Sequence, residues 1–238
     1  MRTDREQLRA RLAAIVERYH RVQAAAAAEP ALAGRLRRLR KFQAERLACT
    51  YADLRAQPRY RKAVEFFLSD LYGPADLSAR DEQVLRALDK LERFLPGGAL
   101  EAFAGAMEVH VLTQELDADT ARALPRGDEL DAAGYANAYR KAGRGADRAR
   151  QIDLVMEIGA VLDRIVRHPE IGFAIRISGR PAHAAGYGDL HDFIQRGWKA
   201  FDDMAGAGEF LETVSRRERE LMARALAGDA SAFSRTGA

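Results

Sequence analysis

The chain has 238 residues and a mass of 26.4 kDa, enough for one large domain or two small ones around a real core. At 47% hydrophobic and 31% charged, it has a soluble globular composition, which excludes a disordered chain. The lone Cys49 excludes an internal disulfide, and no apolar run approaches the ~18 residues of a membrane-spanning helix, so a cytoplasmic protein is expected.

The formal charge of +3 is unevenly spread. Residues 1–62 carry 16 Lys/Arg against 6 Asp/Glu, and residues 63–131 carry 6 against 15. Either the two regions attract one another inside the fold, or the basic part faces an acidic partner. The charged start, Met1-Arg-Thr-Asp-Arg-Glu6, lacks the apolar stretch of an export signal.

Thr3-Asp-Arg-Glu6 fits a capping box, and Leu8, Leu12, Ile15, Tyr19 and Val22 then follow at heptad spacing. Such a seam needs a partner helix. Pro30 closes this helix, and Leu32, Leu36, Leu39, Phe42 and Leu47 mark a second one ending near Gln57-Pro58. Residues 1–57 are therefore expected to form a basic helical hairpin. A body of further helices follows over residues 58–228: Arg59–Tyr72 stopped by Gly73-Pro74, Ser78 to about Phe94, Ala99–Leu116, a short turn at Ala118–Leu124, and Asp131–Ala142.

Ala146–Arg167 is apolar round most of its circumference, which predicts a central, buried helix, with Gly159 marking a close crossing. Pro169–Ile177 reads as one short helix, and Gly179–Gly188 as the most irregular stretch. Asp189–Met204 and Gly208–Leu226 complete the body, and residues 229–238 read as a flexible tail. No convincing strand is present. The fold class is all-α, a bundle of roughly eight to ten helices by this pattern count.

Common enzyme signatures are missing. The chain has no phosphate-cradling Gly-rich loop, no nucleophile elbow and no His-Glu-x-x-His. No two histidines lie at i, i+4, and Glu108-Val-His110 has the wrong spacing for a di-iron bundle, so no metal site is assigned. The cofactor is unknown.

Asp70 falls on the apolar face set by Phe66 and Phe67, and Glu218 interrupts the stripe Leu211, Val214, Leu221. A carboxylate in such a seam needs a partner. Each acid either takes an arginine or lines a pocket as a ligand or an acid/base group. His183 and His191 are the histidine candidates, because they flank the irregular stretch, and Arg180 suits an anion. A basic surface is expected at Arg35, Arg38, Lys41 and Arg46.

The segments Arg59-Tyr60-Arg61, Phe66-Phe-Leu-Ser-Asp70-Leu-Tyr72-Gly73, Tyr135-Ala-Asn-Ala-Tyr139-Arg, Gly179-Arg-Pro-Ala and Glu209-Phe-Leu-Glu-Thr-Val resemble an uncharacterised bacterial protein family that carries a Phe-Phe-Leu-x-Asp-Leu-Tyr-Gly motif. The resemblance spans Ala44 to about Ala225. It implies a helical cytoplasmic protein, brings no assigned activity, and directs attention to Tyr60, Asp70, Tyr72, Arg180 and Glu218.

The leading expectation is a helical binding or regulatory protein whose partner is another protein or a second copy, joined through the hairpin seam. The alternative is an enzyme or a bundle that binds a metal or a small anionic ligand near Asp70 and Glu218. Nucleic-acid binding by the hairpin is the third reading, and no membrane is expected.

Overall fold

Every regular element in the computed structural model is helical; residues 2–71, 82–88, 97–127 and 129–234 are described, and no strand occurs among them. The chain is thus an all-α multi-helix bundle. In order, its helices are α1 (Arg2–Ala27), α2 (Pro30–Thr50), α3 (Ala52–Ala56), α4 (Pro58–Phe66), α5 (82–88) and α6 (Gly97–Ala123). They continue with α7 (Ala132–Ala142), α8 (Gly145–Ile165), α9 (Pro169–Ile177), α10 (Gly179–Ala184), α11 (Gly188–Met204) and α12 (Gly208–Leu226). A wide π-helical turn, Phe67–Leu71, extends α4.

Pro30, Pro58 and Pro169 each sit at a helix start, where a missing N–H costs nothing and the fixed φ suits the helix. Pro30 therefore opens α2 as much as it closes α1. The second stripe ends earlier than its pattern suggests, because Tyr51 (φ −113°, ψ 19°) breaks the helix into α2 and the single turn of α3. Asp131 caps α7 by accepting from the Gly134 amide. The Thr3–Glu6 capping box, the Gly73-Pro74 stop and the Ser78 start lie outside the residues described in full.

The hub is α6, not α8. One continuous helix replaces the expected Ala99–Leu116 and its extra turn, and α1, α2, α7 and α8 all pack on it. The heptad seam of α1 finds its partner there: Leu12 packs with Leu100 and Ala104, and Ile15 and Tyr19 with Met107 and Val111. Arg11 pairs with Glu108 and Arg18 with Glu115, two turns apart on both helices, so α1 runs parallel to α6. Gln43 donates to Asp117 and Arg38 to the Pro125 carbonyl, so α2 runs antiparallel to it. The basic start and the acidic middle attract one another within the fold.

Helix α8 is less buried than its composition predicts. Only Arg148, Leu154 and Gly159 are fully buried, because α6 and α12 cover two faces while Ile152, Val155 and Met156 border a cavity. Gly159 does mark a close crossing, since a Cβ there would stand 2.5 Å from Leu211 Cδ2. Core residues run across the 57/58 boundary, with Leu47, Tyr51 and Leu54 packing beside Tyr60, Val64 and Phe210. Residues 229–234, expected as tail, fold back instead. Ala232 and Phe233 are buried, and Phe233 packs against Tyr135 and Tyr139.

Candidate functional site

A cavity of about 120 Å³ opens where α2, α4 with its π turn, α6, α7, α8 and α12 meet. One wall is apolar: Val64, Phe67 and Leu68 face Val155, Met156, Phe210 and Val214. The polar lining, or polar wall, is formed by Gln43, Arg46, Tyr51, Asp117, Tyr135, Tyr139, Arg148 and Glu218. The π turn shapes the apolar wall. Phe66 turns to Phe193 and Gly197, while the wider turn carries Phe67 and Leu68 round to the cavity.

At the polar wall, Arg46 Nη1 donates to Glu218 Oε1 at 2.6 Å, and the Tyr51 hydroxyl donates to the same oxygen at 2.7 Å. The Arg46 guanidinium also lies over the Phe233 ring, 5.5 Å from its centroid, and its buried Nε has no hydrogen-bond partner. Burial opposes the charge on Arg46, but the Glu218 carboxylate together with the Tyr135 and Tyr51 phenols holds the guanidinium pKa above its ordinary value.

Arg148 is also buried, at 6% exposure. Its Nε donates to the Gly143 carbonyl at 3.0 Å and its Nη2 to Thr120 Oγ1 at 2.9 Å. The guanidinium stacks 3.5 Å from the Tyr139 ring centroid. Gly143 (φ +67°) and Arg144 (φ +60°) both adopt left-handed backbone, which turns the Gly143 carbonyl back onto Arg148. Ion pairs from Arg144 to Glu115, Asp119 and Asp147 hold this bend. Among the described residues, no carboxylate lies within 4 Å of the Arg148 guanidinium.

Asp117 is buried and accepts from Gln43 Nε2 at 2.9 Å, with Arg40 3.8 Å away. Burial raises its pKa, which favours the neutral acid. Burial likewise raises Tyr135 and pushes Tyr139 up to about 12, so both phenols stay protonated. Two buried arginines, Arg46 and Arg148, thus share the cavity lining with Glu218 and with a second acid, Asp117, whose charge is opposed by burial.

The residues expected at a site scatter. Glu218 lines the cavity. Asp70, within the π turn, is buried but does not line the cavity: Arg196 Nε and Nη2 donate to its Oδ1 at 2.9 and 2.6 Å and Ser69 donates to Oδ2. Tyr60 is buried and donates to Glu209 at 2.7 Å, away from the cavity. Tyr72 lies outside the described residues. Arg180 is exposed on α10, and His183 and His191 meet one another between α10 and α11, remote in sequence from every cavity-lining residue.

Arg46 is no surface residue; facing the interior of α2 rather than its solvated side, it is 8% exposed and committed to Glu218. Arg35 and Arg38 donate to the Arg122 and Pro125 carbonyls at the C-terminal end of α6, where cations are favoured, and only Lys41 of that group is fully exposed. Asp117, Arg148, Tyr135 and Tyr139 went unnoticed as site residues. The one signal was Tyr135-Ala-Asn-Ala-Tyr139, whose spacing puts two phenols on one face.

Residues 22–232 match the model of a domain of unknown function, DUF8198, and the chain belongs to that family. A family of unknown function agrees with the resemblance to an uncharacterised family. No curated protein and no solved structure matches the chain.

Proposed function

We propose that this DUF8198 protein is a helical binding protein whose cavity takes a small organic anion with an apolar body: a carboxylate or phosphate group on a skeleton of roughly benzene's size. Arg148 carries the reading. Its buried guanidinium is held by neutral acceptors and a ring face, with no carboxylate of the described residues within 4 Å, so an anion entering the cavity would gain a charge-assisted contact there. The acid group would lie between Arg148 and Arg46 Nε, with its apolar body against Phe67, Met156 and Val214. An apolar cavity of about 150 Å³ holds benzene, so a space of about 120 Å³ that also opens outward suits a molecule of that class.

The reading places the protein in the bacterial cytoplasm. No helix among the described residues is long and apolar enough to cross a membrane. Self-association through the hairpin is less favoured, since Leu12, Ile15 and Tyr19 already pack on α6. Nucleic-acid binding is less favoured too, because Arg35, Arg38 and Arg46 are engaged within the chain.

Calorimetric titration with benzoate and phenyl phosphate, set against neutral benzamide and benzyl alcohol, tests the proposal. The acids should bind at one per chain, the neutral compounds at least ten-fold more weakly, and Arg148→Gln should remove the difference. Equal binding of acids and neutral compounds, or no binding of any acid, would overturn it.

A further inference from the structure

The second cluster of functional groups is built from histidines. His183 on α10 and His191 and Asp192 on α11 bring three ligand atoms within 4.8 Å of one another. The eight-residue gap between the histidines hides this in the sequence. The turn through Gly186 (φ +77°) reverses the chain and lays α10 across the start of α11.

Both imidazoles are already oriented. His183 Nδ1 stands 2.9 Å from the Gly179 carbonyl, and His191 Nε2 stands 2.7 Å from the Ile175 carbonyl. A carbonyl only accepts, so each of those nitrogens carries the proton, and the lone pair is left on the other. That nitrogen is Nε2 in His183, 3.3 Å from Asp192 Oδ2, and Nδ1 in His191, 3.5 Å from Asp192 Oδ1. His191 is 8% exposed, and its Nδ1 is buried without a hydrogen-bond partner. An unprotonated nitrogen facing a carboxylate oxygen is repulsive until a proton or a metal cation lies between them, so a metal would compete here with a proton.

Two glycines make room for the rings. A Cβ on Gly188 would come within 2.7 Å of His183 Cδ2, and one on Gly179 within 3.2 Å of His191 Cε1. Ligands about 2.0–2.1 Å from a tetrahedral ion are about 3.3 Å apart, close to the two nitrogen–oxygen separations seen here. Backbone carbonyls that fix the tautomer of each histidine are the usual outer support of a metal site. Asp189, in the first turn of α11, adds negative charge nearby.

We propose that His183 Nε2, His191 Nδ1 and the Asp192 carboxylate bind one divalent transition-metal ion of the zinc, cobalt or nickel kind. Two imidazoles and one carboxylate select such ions over magnesium or calcium, which prefer all-oxygen sets. Three protein ligands leave at least one position for water, on the open side where His183 is 54% and Asp192 42% exposed. The site is separate from the cavity and does not rest on the anion-binding reading.

The test is titration of untagged, chelator-treated full-length protein with Co²⁺, followed by visible absorption and by competition with Zn²⁺. One equivalent should bind, with the intense bands of a low-coordinate cobalt site. His183→Ala and Asp192→Ala, both at exposed positions, should each weaken binding at least ten-fold. Gly188→Ala should weaken it with no ligand removed, whereas His168→Ala and Arg148→Gln should leave it unchanged. Absence of stoichiometric uptake, or uptake indifferent to His183→Ala and Asp192→Ala, would overturn the site. Circular dichroism of each variant separates lost ligation from lost fold.

Discussion

Arg46 and Glu218 stand 172 residues apart in sequence and 2.6 Å apart in space, joining α2 to α12 across the polar wall of the cavity. The side chains are 10% and 22% exposed, so neither charge is well hydrated when the other is removed. Glu218→Ala should therefore cost roughly 3 kcal/mol, because it strands a buried guanidinium. The double variant Arg46→Met with Glu218→Leu should recover most of that loss. Urea denaturation of the three proteins is the check; a double variant as unstable as the single one would show that the ion pair is not the cause.

Gly159 sits where α8 crosses α12. Alanine there gains up to about 1 kcal/mol of helix propensity, but its Cβ would meet Leu211 Cδ2 and Cδ1 at 2.5 and 2.9 Å. Leu211 is buried, so it cannot move aside without disturbing Phe210 and its neighbours. Overpacking of this kind costs about 1–3 kcal/mol, and Gly159→Ala should be destabilising by about 1 kcal/mol net. In a Leu211→Ala background the same substitution should turn stabilising, since the clash is gone and the propensity remains. Thermal melts of the four proteins close the cycle.

Much of the fold is legible in the sequence because helical periodicity, prolines and glycines are local signals. α12 begins and ends where its pattern does, and Gly159 announces its crossing. The cavity is less legible, since it exists only where six elements converge. Glu218 could be found because an acid in an apolar stripe is anomalous. Arg148 and Asp117 could not, because each sits among other polar residues of its helix, and only the packing of α6 on α8 buries them. Arg46 misleads for the same reason: one arginine among many on α2 looks solvated until α12 arrives. His183 and His191 stand out in the sequence for flanking an irregular stretch, but their meeting depends on how α10 and α11 pack.

Asp117 gives the cavity a pH signature. Burial raises its folded pKa above the unfolded value of 3.8, so the folded state holds the proton more tightly. Its contribution to stability is complete below 3.8 and is lost as the pH rises through the raised folded value. Asp117→Asn keeps an acceptor for Gln43 and removes that loss. Relative to the parent, the variant should gain melting temperature progressively as the pH rises from 4 toward neutrality. A difference that is flat with pH would mean that the folded protein does not hold the Asp117 proton more tightly than the unfolded chain.

Composition suggests that residues 1–57 are a separable basic hairpin, but their core is shared with the body. Leu12 is 0% exposed against Leu100 and Ala104, Leu39 and Phe42 pack with Tyr135 and Tyr139, and Leu47 and Tyr51 pack with Tyr60, Phe210 and Leu211. Removing the segment would uncover both flanks of α6 and leave Asp117 and Glu218 without Gln43 and Arg46. A fragment of residues 58–238 should therefore lose cooperative unfolding altogether. Leu12→Ala in the full chain should cost about 3 kcal/mol while the protein stays folded. Scanning calorimetry decides between the two descriptions. A fragment with a sharp transition near that of the full chain would make the hairpin an appendage, whereas a broad or absent transition would make it part of one domain.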